Sequence, residues 1–238
     1  MWMISRACPA DPGALVLAAK GGHNDEMHNH NDAGSFIIHA GREDLIADPG
    51  AGHYTLGYFG PMRYEHFAAS SLGHSVPVPN GQLQQAGRQF AARLLEHSAG
   101  EEADVLRLDL RAAYPAEARL ELLERRIALH RHAGLPGGGW VELEDRFAFQ
   151  GGPGSFESAL ITFGQAAVEE EGSVLIRGER AGLRVRCTTG NAGVRVEHYP
   201  AVDLAEGRRD ACRVVFFLPE PCRSGCLRIE MAPAIAEI

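Results

Sequence analysis

Short apolar runs, many alternating with polar residues at every second position, dominate the chain, and little of it sustains a helical period. In Val141-Glu-Leu143-Glu and Leu183-Arg-Val185-Arg the alternation sets one face in a core and the other in water, as in a half-buried strand. The pattern predicts strands over Leu15–Ala19, Ser35–Ala40, Leu45–Ala47, Val105–Leu110, Arg126–Arg131, Trp140–Phe149, Ala159–Phe163, Ser173–Arg177, Leu183–Cys187, Val194–His198, Cys212–Leu218 and Cys226–Met231. It reads Gln82–His97 as a short helix and leaves Glu117–Arg126 open between helix and strand. With 28 glycines and 13 prolines punctuating these runs, the expected fold is all-β: a large antiparallel two-layer β-sandwich with one or two short helices. A single domain over residues 1–238 is expected, with no internal repeat. Gly134–Gly139 and Gly151–Gly154 read as loops and not phosphate cradles, because no helical pattern follows them.

Composition narrows the classes. At 238 residues, 45% hydrophobic and 23% charged, the chain is long and apolar enough to bury a sizeable core. No run approaches the roughly 20 apolar residues of a spanning helix, so no membrane insertion is expected. Ala14–Ala19 is too short for a signal-peptide core, which predicts a cytoplasmic location for the chain as written. The expectation becomes periplasmic or secreted if it is a piece of a longer exported chain. A net charge of −8 argues against a general nucleic-acid binder. Five cysteines, an odd number, do not suggest a disulfide scaffold, and Cys222 and Cys226 lack a second pair at zinc-finger spacing. Lys20 is the sole lysine among many arginines.

The chemistry concentrates in the first third. Gly21–Asp32 contains His23, His28 and His30 beside two aspartates and a glutamate, directly before the apolar run Phe36-Ile-Ile. If the segment is extended, His28 and His30 point to the same face. So dense a polar cluster favours a metal site over a plain polar loop. Asp48, at the end of an apolar strand and held by Pro49-Gly50, and His74, in a loop leading to a short strand, are the candidates to complete it. Two imidazoles and a carboxylate suit zinc, with a fourth position open. His39, His53 and His66 read as exposed or supporting residues.

His28-Asn-His30-Asn-Asp-Ala-Gly-Ser-Phe, Asp48-Pro-Gly with Tyr54, Arg63-Tyr64, and His74 followed by Asn80-Gly81 and Gln84 together resemble the C-terminal sheet domain of heparinase II/III-like polysaccharide lyases. The resemblance is specific over residues 15–84 and reduces to a strand rhythm from Val105 onward. It implies an α/α toroid followed by a large sandwich, with Zn2+ held by His30, Asp48 and His74, and His28 facing the substrate cleft. The implied activity is β-elimination on a uronic-acid polysaccharide or oligosaccharide, such as a glycosaminoglycan or alginate. Asn29 and Arg63 are then candidate substrate-binding residues, and Tyr58 and Tyr64 candidate substrate contacts. In that family further catalytic groups, a tyrosine among them, come from the toroid, for which the stretch before the first matched strand is far too short. The resemblance therefore implies half of an active site, completed by a toroid in a longer or separate chain. A sandwich on its own would expose the toroid-facing surface, so self-association into a homo-oligomer is expected.

Two other readings compete. Gly22, five residues, then His28-x-His30 fits the opening of the cupin pattern, which would make the chain a metal-dependent oxygenase or isomerase in a small barrel. That fit fails where the expected glutamate is replaced by Gly34-Ser35. The other is a non-catalytic carbohydrate-binding sandwich.

Overall fold

The computed structural model describes residues 1–234, which form seventeen strands. In chain order they are β1 (Trp2–Arg6), β2 (Val16–Lys20), β3 (Gly22–Asn24), β4 (Phe36–Ala40), β5 (Glu43–Ile46), β6 (Pro77–Pro79), β7 (Gly87–Ala99), β8 (Ala103–Asp109) and β9 (Leu120–Arg131). They continue with β10 (Gly139–Phe149), β11 (Phe156–Thr162), β12 (Gln165–Val168), β13 (Ser173–Arg177), β14 (Gly182–Cys187), β15 (Gly193–Leu204), β16 (Gly207–Phe217) and β17 (Ser224–Ala234). Every strand pairing is antiparallel.

The strands build a nine-stranded sheet, β12-β13-β14-β17-β10-β9-β8-β7-β3, and two four-stranded sheets, β1-β2-β4-β5 and β15-β16-β11-β6. The small sheets meet where the Ala47 N–H, just past β5, donates to the Ile161 carbonyl of β11 (2.8 Å). All three sheets contribute to one apolar core, in which Leu17 and Ile38 meet Leu108, Ile127 and Val141 of the large sheet, and Val214 and Phe216 of the other. This is the predicted all-β sandwich. Period-2 alternation does what it promises in β14, where Leu183 and Val185 are buried and Arg184 and Arg186 exposed.

The expected helices are not there. Gln82–His97 is a loop followed by β7, whose alanines, leucines and glutamate favour helix locally but are held in a ladder by β8, with His97 opposite Leu106 and Ser98 opposite Val105. Glu117–Arg126 resolves into one 3-10 turn, Ala116–Ala118, and the start of β9, separated by Arg119 at φ 52°. Among the described residues the helical content is six such single turns, none long and apolar enough to cross a membrane. All five cysteines are free thiols.

A buried ion pair locks the layers. Arg125 projects inward from β9 among Leu123 and Ile127, and both it and Asp145 of β10 are 0% exposed. Its Nε and Nη2 donate to the two Asp145 carboxylate oxygens (2.7 Å each) and Nη2 also to Ser158 Oγ (3.1 Å). Nη1 donates to the carbonyls of Gly34 (2.9 Å) and Ser75 (2.6 Å). All five guanidinium N–H groups are thereby used. The outer face of the same sheet is a ladder of paired charges, Arg107 with Glu124, Arg126 with Glu142, and Arg146 and Arg228 both on Glu144.

Candidate metal centre

Three loops on the inner side of this scaffold bring His30, Asp48 and His74 together. One ligand atom from each lies within 4.8 Å of the others, the sole such His/Cys/Asp/Glu group among the described residues. The loop bearing His30 is fixed by its neighbours. Asp32 Oδ1 accepts from Lys20 Nζ (2.6 Å), so the only lysine of the chain is a buried partner of the histidine motif. The buried Gln84 side chain accepts from the Ala33 N–H (3.0 Å) and donates to the Ala33 carbonyl (2.8 Å), as a strand partner would. Gln84 also donates its own N–H to Ser71 Oγ (2.9 Å), in the turn before His74, and so ties two of the three loops to each other. Gln84→Ala leaves both Ala33 groups without their partner in a dry site, and is expected to cost about 1–3 kcal/mol. A thermal melt several degrees below wild type checks this; an unchanged melt would refute it.

Asp48 Oδ1 accepts from the Gly50 N–H (2.8 Å), a turn closed by Gly50 at φ 63°. His74 is fully buried; its Nε2 lies 3.0 Å from the Ala68 carbonyl and its Nδ1 3.1 Å from Asp48 Oδ2. A neutral imidazole has one N–H. If Nε2 donates it to Ala68, the Nδ1 lone pair faces a carboxylate with nothing between them, a contact favourable only around a cation, either a proton on Nδ1 or a metal ion. The donor set thus fits a divalent metal. Burial opposes charge on both partners, but attraction outweighs it: Asp48 holds the His74 pKa above its ordinary value, while His74 and the Gly50 N–H hold Asp48 well below the carboxylate range. His30, whose ring centroid is 5.2 Å from that of His74, has its pKa pushed down to about 4 by burial and by His74, so it is neutral and ready to ligate.

Tyr58 backs His30. Its hydroxyl accepts from the Gly52 N–H (3.1 Å) and lies 3.4 Å from His30 Nε2. Gly52 is dictated by that approach, since a Cβ there would sit 2.4 Å from the tyrosine ring. Tyr58 is buried, with the Arg63 guanidinium 4.5 Å from its ring centroid. Arg63 is itself buried and donates to the carbonyls of Tyr58 (3.3 Å) and Asn29 (3.0 Å). Of the expected substrate contacts, Tyr58 is 1% and Arg63 8% exposed, and both are engaged in holding the loop that carries Asn29 and His30. The histidine segment is not extended: His28 has φ 61°, so its ring does not share a face with that of His30. It lies exposed against Tyr54 (6.0 Å between centroids) and Phe59 (5.5 Å). Beside it Asn29 Oδ1 accepts from the Tyr64 hydroxyl (3.0 Å). Met27, Leu56 and Met62 add exposed apolar surface to this rim. His39 pairs with Asp44, and His53 and His66 are exposed; none joins the cluster.

Fold and site together define an antiparallel β-sandwich with a two-histidine, one-aspartate centre in its loops. The sequence profile described as Heparinase II/III-like, C-terminal, matches residues 2–213, and the chain belongs to that family. Among solved structures, heparan sulfate lyase HepC from Pedobacter heparinus superposes with a TM-score of 0.77 at 15% identity, covering 100% of this chain and 36% of that one. A heparinase III gene product gives 0.75 at 13%, covering 98% and 35%, and a further heparinase III 0.70 at 12%, covering 98% and 35%. At these identities the likeness is one of fold, and the chain spans about a third of the length of these proteins. No curated protein sequence matches it. The cupin reading falls, because the sheets do not close into a barrel and no site of three histidines and a glutamate forms among the described residues.

Proposed function

We propose that this chain is the sandwich domain of a lyase that cleaves uronic-acid polysaccharides by β-elimination and that it holds one zinc ion through His30, Asp48 and His74. The observation that carries the reading is the cation-demanding His74–Asp48 contact, packed against His30 in a member of this family. The names of the solved neighbours, a heparan sulfate lyase and heparinase III, support an acidic polysaccharide as the substrate class.

When bound, zinc supplies a fixed divalent charge that crosslinks three loops. The chain's own residues supply the rest. In β-elimination the proton beside the uronate carboxylate is too weakly acidic to leave until the carboxylate charge is neutralised. His28, exposed on the rim, meets the substrate there, either donating to the carboxylate or taking the proton. Tyr64 and Asn29, bonded to each other, shape the approach, and the buried Tyr58 and Arg63 hold this loop in place. The acid that protonates the departing glycosidic oxygen comes from an α/α toroid, which would meet the apolar rim.

Anomalous scattering at the zinc edge tests the metal: one ion on these three side chains is expected, and a metal held elsewhere would overturn the assignment. In the longer lyase, His28→Ala is expected to lower the rate of unsaturated-uronate formation about 10²-fold or more while retaining zinc. Protons compete for the same lone pairs. His74, raised above its usual pKa, is protonated first on acidification, and His30 only near pH 4. Zinc affinity measured by calorimetry is therefore expected to fall as the pH drops below about 6.5, by about tenfold per unit, and more steeply near pH 4. A flat profile over that range would contradict ligation by His74.

A further inference from the structure

We propose that the outer face of the large sheet carries a second saccharide site, centred on Trp140, which takes an acidic pyranose unit away from the loops that hold His28 and His30. The inference rests on the substrate class proposed above. Trp140 leads β10, where side chains alternate between the two faces of the sheet. Val141 and Leu143 enter the core, and Trp140 stands on the opposite side, partly buried. The loops of the metal centre are bonded to the inner face, through Arg125 and the Gly34 and Ser75 carbonyls.

Three observations define the site. First, the indole is held flat from one side: His130, its partner across β9, stacks on it at 4.7 Å between centroids and 11° between planes. His130 Nε2 is buried and has no hydrogen-bond partner, so this imidazole serves the indole by stacking and not by a polar contact. Second, the other side is open. The β10–β17 ladder ends at Val141 and Met231, one step short of Trp140, and Ala232 pairs with Arg184, so that Trp140, the small Ala232 and Arg184 line one trough. The cavity there is about 440 Å³, large enough for a sugar ring, with Leu135 and Pro233 on its walls. Third, its charge runs against that of the molecule. In a chain of net charge −8, two arginines, Arg184 and Arg186, line the depression against one carboxylate, Glu230. Arg184 reaches Glu169 at 3.3 Å, an exposed pair of little strength. Arg186 stands opposite Glu230 in the β14–β17 register but forms no ion pair with it within 4 Å, which leaves its guanidinium available to a ligand.

A flat apolar ring beside two guanidinium groups suits a pyranose that stacks its C–H face on the indole and turns a carboxylate or sulfate toward the arginines. Elsewhere on this face Arg107 and Arg126 each pair with a glutamate and Arg146 and Arg228 share Glu144, whereas here an aromatic ring stands beside two arginines. Such a site would keep hold of a long substrate between cleavage events.

Calorimetric titration of the full chain with a size-defined heparan sulfate oligosaccharide, and with a neutral oligosaccharide of equal length, tests this. The acidic ligand is expected to bind and the neutral one not to. Trp140→Ala and, separately, Arg186→Glu should each weaken binding at least tenfold without changing zinc content. The second variant alters only an exposed side chain, so it keeps the test open if the first folds poorly. Binding that survives both variants but is lost in Tyr64→Ala would place the saccharide on the rim alone, and would overturn the Trp140 site while leaving the lyase reading intact. Equal binding of the neutral ligand, or no binding at millimolar concentration, would also overturn it; the lyase assay on the longer protein tests the other reading separately.

Discussion

Replacing Arg125 with methionine is expected to lower the melting temperature by about 6–20 °C. The substitution removes one member of a fully buried pair and leaves the Asp145 carboxylate uncompensated, at a cost of about 3–5 kcal/mol, and a domain of this length loses about 2–4 °C per kcal/mol. Three further acceptors lose their donor or part of it: Ser158 Oγ and the Gly34 and Ser75 carbonyls. Replacing the pair together, Arg125→Met with Asp145→Leu, removes the stranded charge and should recover part of the loss. Circular dichroism melts of the single and double variants give the comparison. A single variant that melts within about 2 °C of wild type would mean that the pair does not lock the layers.

The second large effect is expected from His30→Ala, which should reduce zinc from one equivalent to none and lower the melting temperature as well. A ligand at a thousand times its dissociation constant stabilises the folded state by about 4 kcal/mol, and that contribution disappears with the site. A chelator should bring wild type down to the variant and leave the variant unmoved, which separates the metal's share from the loss of the imidazole. Zinc lost with an unchanged melting temperature would refute a structural metal and point to one acting on the substrate. The distinction follows from the geometry: the candidate ligands come from three loops, and Asp48 and His74 without His30 are two groups that a single proton satisfies.

Much of this was readable from the residues. Strands with clean alternation, such as β10 and β14, fall where the pattern predicts, and β13 matches to the residue. β1, β3 and β12 went unseen, being three to five residues long and set at or next to sheet edges, where neighbours and not an apolar stripe define them. The candidate ligands were legible because His30 lies in a dense polar motif, Asp48 stands between an apolar run and a Pro-Gly turn, and His74 leads into a short apolar segment. Their supports were not. Alternation with Leu123 and Ile127 turns Arg125 inward, but nothing near it in sequence names the partner that makes its burial possible, the distant Asp145. Lys20 and Tyr58 look like surface residues until their partners, Asp32 and His30, are brought to them. The backbone contacts of Arg63 are hidden in the same way, since a guanidinium bonded to the Tyr58 and Asn29 carbonyls leaves no mark in a sequence.

The charge ladder on the outer face of the large sheet bears on how copies of this chain can meet. A broad sheet with one bare side invites a second sheet to lie flat upon it, the stacking that builds dry layered aggregates. Here such stacking would bury Arg107, Glu124, Arg126, Glu142, Glu144 and Arg228 in a layer with no water to solvate them, a desolvation cost that opposes the contact. That side of the sandwich is protected against its own kind, and crowding at high concentration is steered to the loops, where Met27, Leu56 and Met62 stand uncovered.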